Sequence, residues 1–199
     1  MSVAVHHALQ PHPAAPAPAG LALTVVGRLT RSQLELEYRF EGEAAHDVAV
    51  AAPAVRPTRR DELWQHTCGE MFLGVAGRPE YFEFNFSPSG DWAAYAFEAE
   101  RSGRRDHHWS GPLPDVRWDA ARHALQVGVP RAAIGMETMQ ASYTAVIVQA
   151  SGAAHAAPGR EAGAGARSFW ALQHARPTPD FHARASFVAQ ISWPVGEGA

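Results

Sequence analysis

The stretch LWQHTCGEMFLGVAGRPEYFEFNFSPSGDWAAY, residues 63–95, decides the fold class. Within it Phe82, Phe84 and Phe86 alternate with Tyr81, Glu83 and Asn85, and Met71, Leu73 and Val75 alternate with Glu70, Phe72 and Gly74. A period of two sends successive side chains to opposite faces of a strand, whereas an amphipathic helix repeats about every 3.6 residues. Gly77 to Pro79 and the cluster Ser87-Pro88-Ser89-Gly90 punctuate these runs, and Trp92 to Glu98 reads as a returning strand. A three-stranded antiparallel meander is expected here. The phenylalanines should face a core, and Glu70, Glu83 and Asn85 should share the opposite, polar face.

Outward from this stretch the same periodicity recurs. Leu34, Leu36, Tyr38 and Phe40 alternate with Glu35, Glu37, Arg39 and Glu41; Leu21 to Arg28 reads as a strand before them and Val48 to Ala51 as a short one after. Val116 to Asp119, Leu125 to Val129, Tyr143 to Gln149, Ser168 to His174 and Phe187 to Trp193 read as later strands, and Pro130 to Ile134 as one helical turn. No run has the length and period of an amphipathic helix. The Pro/Ala-rich residues 1–19 are expected to be a flexible extended lead-in, followed by one domain over 20–195 with a flexible loop at 150–167. Many short strands separated by turns imply an all-β, antiparallel β-sandwich or jelly roll. The long loops at 99–115 and 150–167 leave the strand order open.

Composition sets the outer bounds. At 199 residues and 46% apolar, the chain can bury one sizeable core. A formal charge of −3 gives no basic stripe for nucleic acid, and nothing approaches the ~18 apolar residues of a membrane span. All 17 basic residues are arginine, which fits genome composition together with heavy alanine use. One cysteine, Cys68, makes no internal disulfide, and the N-terminus lacks a secretory signal pattern, so a cytoplasmic protein is expected.

At LWQHTCGEMF, YFEFNFSPSGDWAAY and SFWALQHARPTPDFH the chain resembles the DOMON-like proteins related to family-9 carbohydrate-binding modules. The resemblance runs from about residue 20 to 195. It implies a jelly-roll β-sandwich with a non-catalytic, ligand-binding role. In the carbohydrate-binding relatives two tryptophans flank a sugar; Trp64 and Trp170 resemble that pair and Glu70 the first acidic group. The wider superfamily also holds haem-binding members, so the resemblance leaves the ligand class open.

Chemistry narrows the candidates. A sugar packs its C–H face on an aromatic ring and directs its hydroxyls to polar partners. Trp64, Trp92 and Trp170 could supply rings, and Glu70, Glu83, Asn85 and Asp91 the partners; the plain alternative is that the tryptophans fill the edges of the sandwich. Six extended residues from Trp64 to Glu70 would span roughly 20 Å, so the two share a site only if residues 64–68 bend. Haem is the alternative cofactor, with His66, Met71, Met136, Met139, His174 and His182 as possible axial groups; otherwise no cofactor is expected. No HExxH, zinc-type Cys/His spacing or P-loop occurs. His66 and Cys68 sit two apart, but nothing marks the thiol as activated, and no enzyme is expected. In the loop Pro177 to His182, Asp180 and His182 could be presented beside Trp170, or Phe181 could simply anchor a rigid connection. The remaining reading is a protein–protein module built on exposed aromatics.

Overall fold

The computed structural model of the chain describes residues 4–135, 138–150 and 165–193. The loop expected over 150–167 lies largely outside them. Among the described residues twelve strands form in chain order: β1 (Ala4–Pro11), β2 (Ala22–Leu29), β3 (Gln33–Glu41), β4 (Cys68–Gly74), β5 (Tyr81–Phe86) and β6 (Trp92–Phe97) come first. After them follow β7 (Arg105–Asp106), β8 (Asp115–Asp119), β9 (Ala124–Pro130), β10 (Met139–Val148), β11 (Arg167–Ala171) and β12 (Ala189–Ile191). The expected helical turn, α1 (Arg131–Ile134), falls directly after Pro130.

The strands join into one curled sheet in the order β7-β6-β5-β4-β10-β11-β1-β2-β3-β9-β8, with β12 on the free stretch of β10. Every pairing between these strands is antiparallel. The expected meander is β4-β5-β6, with Met71 opposite Phe84 and Phe84 opposite Ala94. β1 is the seam of the curl: Ala4 to Leu9 pair with β2, whereas Gln10 and Pro11 pair with β11. This corrects the flexible lead-in expected for residues 1–19. The prolines begin only at Pro11, and the strand before them buries just Leu9, so it carries almost no hydrophobic alternation. Its order comes from ladder bonds on both sides. Val48 makes an isolated bridge to Gln149 after a 3-10 turn (Glu43–Asp47), in place of the short strand expected there.

Curling brings the inner faces of the two arms together. Leu23, Val25, Leu36, Tyr38 and Phe40 from one arm meet Met71, Leu73, Phe84, Phe86 and Tyr143 from the other in one buried cluster. The Tyr38 hydroxyl donates to the Glu70 carbonyl oxygen at 2.5 Å, satisfying a buried polar group across the interface. Gly69 permits this approach. A Cβ there would lie 3.0 Å from Leu125 Cδ2 and 3.2 Å from the Tyr38 ring.

Candidate functional site

The outer face of the β4-β5-β6-β10-β11 arm is also covered. Alternation sends Cys68, Phe72, Tyr81, Ala93, Tyr95, Phe97 and Val146 to this second face, away from the main core. Leu63, Phe181 and Phe187, from segments without strand structure, pack over it. Phe181 lies 6.4 Å from Phe72 and 6.2 Å from Phe169 between ring centroids, and Tyr81 stacks on Phe97 at 4.7 Å. Between these covers and the sheet is a cleft of about 390 Å³. Glu70, Phe72, Glu83 and Val146 form its floor. Trp64, Phe97, Phe169 and Phe181 supply aromatic walls, and Arg101, Arg104 and Arg167 stand at its mouth.

Trp64 reaches this cleft because the chain bends where it had to. Glu62 adopts a left-handed backbone (φ 63°), and Leu63–Gln65 make a 3-10 turn before β4 begins. Trp64 then lies 6.0 Å from Tyr95, edge to face. Arg104 is sandwiched against both rings, 4.1 Å from the Tyr95 centroid and 5.3 Å from that of Trp64. Arg101 also has a left-handed backbone (φ 54°) and pairs with Asp180 at 2.8 Å. Unfavourable backbone conformations at both lips of a cleft are typical of segments held for function.

The floor is electrostatically unusual. Glu70 is 2% exposed, and its Oε2 accepts a long bond of 3.4 Å from the Thr144 hydroxyl. Its Oε1 is buried with no hydrogen-bond partner. Burial, reinforced by the nearby Glu83, raises the Glu70 pKa well above the usual carboxylate range. Burial likewise raises that of Glu83, outweighing the bond from Asn85 and the attraction of Arg104 and Arg101. A protonated carboxyl both donates and accepts, which suits a hydroxyl better than it suits an anion. His182 lies with its Nε2 3.8 Å from Glu83 Oε2. Burial, then Arg101, pushes its pKa down to about 4, so its imidazole is neutral at pH 7.

No protein-family model matches this chain, and no curated protein matches it in sequence. In three dimensions it is similar to a candidate carbohydrate-binding protein from Bacteroides uniformis. The TM-score is 0.62 at 14% identity, over 95% of this chain and 86% of that one. At this identity the likeness establishes a common fold.

Of the residues singled out in the sequence, Trp64, Glu70 and Glu83 converge on the cleft. Asn85 sits alongside: its Nδ2 donates to Glu83 Oε1 at 2.7 Å, and it is wholly buried. The expected polar face is therefore real in direction but closed to bulk water. Asp91 lies elsewhere, accepting from the Thr58 amide (3.0 Å) and the Ser89 hydroxyl (3.0 Å) and so fastening a loop to a turn. Trp92 is in the main core, 5.3 Å from Trp109. Trp170 is in that core as well, 2% exposed, its indole N–H donating to the Ser168 hydroxyl at 2.9 Å. The structure thus separates Trp64 and Trp170, because strand parity turns Phe169, not Trp170, towards the cleft.

The possible haem ligands are scattered too. Met71 and Met139 lie in the main core, His66 is exposed, His174 bonds the Gln10 carbonyl, and Met136 is outside the described residues. Only His182 among them lines the cleft, with Nδ1 already bonded to the Tyr81 hydroxyl. Among the described residues no group of three or more His, Cys, Asp or Glu could hold a metal ion. Burial, aided by Glu70, pushes the Cys68 thiol well up, away from a reactive thiolate. Phe181 anchors its loop, and Asp180 and His182 are presented beside Phe181 and Arg101 rather than beside Trp170.

Sequence reasoning missed the arginines. Arg101 and Arg104 sit in a segment read only as polar and irregular, and Arg167 at the edge of a low-complexity loop; neither context has a period that assigns a face.

Proposed function

We propose that the chain is a non-catalytic module binding a small carbohydrate or similar polyhydroxylated ligand in this cleft. The observation that carries the proposal is one open cleft that joins an aromatic wall, Trp64, to a buried and unpartnered carboxyl oxygen, Glu70 Oε1. An orphaned buried polar atom costs free energy that a bound hydroxyl would recover. Trp64 supplies the surface for a sugar's C–H face, and Glu70 and Glu83 supply hydroxyl partners. Asn85 orients Glu83. The fold shared with the Bacteroides uniformis protein is compatible with this role.

The same reading takes the curled sheet as a DOMON-like, jelly-roll sandwich, supported by the packing of its two arms and by the motifs at residues 63–95 and 168–182. It needs neither haem nor a catalytic step, since the buried floor carboxyls, the shielded thiol and the occupied His182 Nδ1 suit binding. No described helix is long and apolar enough to cross a membrane, and a single buried cysteine suits a reducing, cytoplasmic setting. Calorimetric titration with neutral mono- and disaccharides tests the proposal. Binding should appear with the wild type and weaken in Trp64→Ala and Glu70→Ala; heat-silent titrations across the panel would sink it.

A further inference from the structure

The mouth of the cleft carries a charge pattern that a neutral sugar does not use. Three arginines stand there, and they are not equivalent. Arg101 is paired with Asp180 at 2.8 Å, and Arg104 stacks on Trp64 and Tyr95 with Asp61 at 3.7 Å. Arg167, the first residue of β11, is exposed, and its side chain makes no ion pair or hydrogen bond among the described residues. The acidic side chains that line the cleft itself, Glu70 and Glu83, are on the floor, where burial raises both pKa values. The cleft therefore sets its arginines at the mouth and its own carboxyls at the base, and of the three arginines only Arg167 faces no acidic partner among the described residues.

We infer that the ligand is an acidic sugar, whose anionic oxygen group is held at the mouth by Arg167, with Arg101 and Arg104 beside it, while its hydroxyls reach Glu70 and Glu83. This rests on the carbohydrate reading and names the class within it. A guanidinium presents a planar fork of donors that matches a carboxylate or phosphate in two parallel bonds, which is stronger and more directional than a hydroxyl contact. Arg104 is well placed to assist because its stacking on Trp64 fixes it beside the ring that would carry the sugar. The floor gives the second half of the argument. Glu70 lines the cleft and its Oε1 is buried without a partner, so a hydroxyl brought to that depth would meet an unsatisfied oxygen. A sugar with its charge at one end and hydroxyls at the other meets both demands.

The test titrates glucose, glucuronate, galacturonate, glucose 6-phosphate and glucosamine into the wild type and into Arg167→Gln. Arg117→Gln serves as the control, an exposed arginine outside the cleft, paired with Asp115. At least one acidic sugar should bind the wild type about tenfold more tightly than glucose. That ratio should fall towards one in Arg167→Gln and persist in Arg117→Gln. The uronate and phosphate arms separate the two possible sources of the anion. Equal affinity for glucose and every acidic sugar, or tighter binding of glucosamine, would overturn the inference while leaving the carbohydrate reading intact. An unchanged ratio in Arg167→Gln would overturn the assignment to that residue. Failure of all five sugars to bind would remove both.

Discussion

A hydrogen bond of 2.7 Å joins the Tyr81 hydroxyl, on β5, to Nδ1 of His182, 101 residues further along the chain. The same hydroxyl accepts from the Arg101 amide at 3.1 Å. Burial raises the Tyr81 pKa to about 12, so the phenol keeps its proton and donates a hydrogen bond to the neutral imidazole. One side chain rising from the sheet thereby fixes two of the segments that close the cleft. It also sets the histidine tautomer, with Nε2–H turned towards Glu83.

Tyr81→Phe keeps the ring stacked on Phe97 and removes only these two bonds. The expected loss is roughly 1–2 kcal/mol of stability, from one hydrogen bond lost and one buried group left short of its partner. Ligand affinity should fall as well, because Arg101 and His182 lose their common tether. Urea denaturation and titration of the variant check both; a variant with wild-type affinity would show that the tether does not position the cleft.

His182 should impose an acid limit. Its folded pKa of about 4 lies below the ordinary value of 6.5, so between these the unfolded chain binds more protons than the folded one. Stability from this group is then complete above about pH 6.5 and lost as pH falls towards 4, by on the order of 2–3 kcal/mol. His182→Gln should lack that part of the slope. The measurement is denaturant unfolding of both proteins from pH 4 to 8. Parallel curves would contradict a buried neutral histidine.

Glu70 should act with the opposite sign. Its folded pKa is raised by burial and by Glu83, so the folded protein holds this proton more tightly than the unfolded chain does. Stability is favoured below the ordinary value of 4.5 and declines as pH rises through the folded value. Glu70→Gln removes the titration, so its stability relative to wild type should improve from pH 4 to 8. Sugar affinity should decrease in the same variant. A residue whose replacement stabilises the fold and weakens binding is retained for binding. Equal pH dependence of the two proteins would argue that Glu70 is not desolvated.

Much of the β4-β5-β6 arm was legible in residues 63–95, because Tyr81 to Phe86 alternate with a period of two and each turn carries a Gly or Pro marker. The direction in which Glu70 and Glu83 point followed from the same parity. Three features lay beyond it. β1 has only Leu9 to mark a buried face, so its pairing with β2 and β11 is a property of the sheet, not of local sequence. Trp170 is one residue from Phe169, and a one-residue choice of parity decides whether a tryptophan enters the core or the cleft. Arg101 and Arg104 come from an aperiodic loop whose course is set by bonds to distant residues, Tyr81 and Asp180 among them.

The two tryptophans that sequence alone groups together should respond to substitution in different ways. Trp170 is closed within the main core and bonded to Ser168, so Trp170→Ala opens a cavity and should cost about 3–5 kcal/mol of stability. Its more conservative partner, Trp170→Phe, should fold, lose a smaller part of that stability and bind sugar with wild-type affinity. Trp64 is only half buried, under Arg104 and beside Tyr95. Trp64→Ala should cost roughly 1 kcal/mol of stability, yet weaken ligand binding about tenfold or more, as expected for an aromatic anchor at the centre of a binding site. Thermal unfolding and calorimetric titration on the three variants separate the roles. Loss of affinity in Trp170→Phe at unchanged Trp64→Ala affinity would move the binding site to the other face of the sheet.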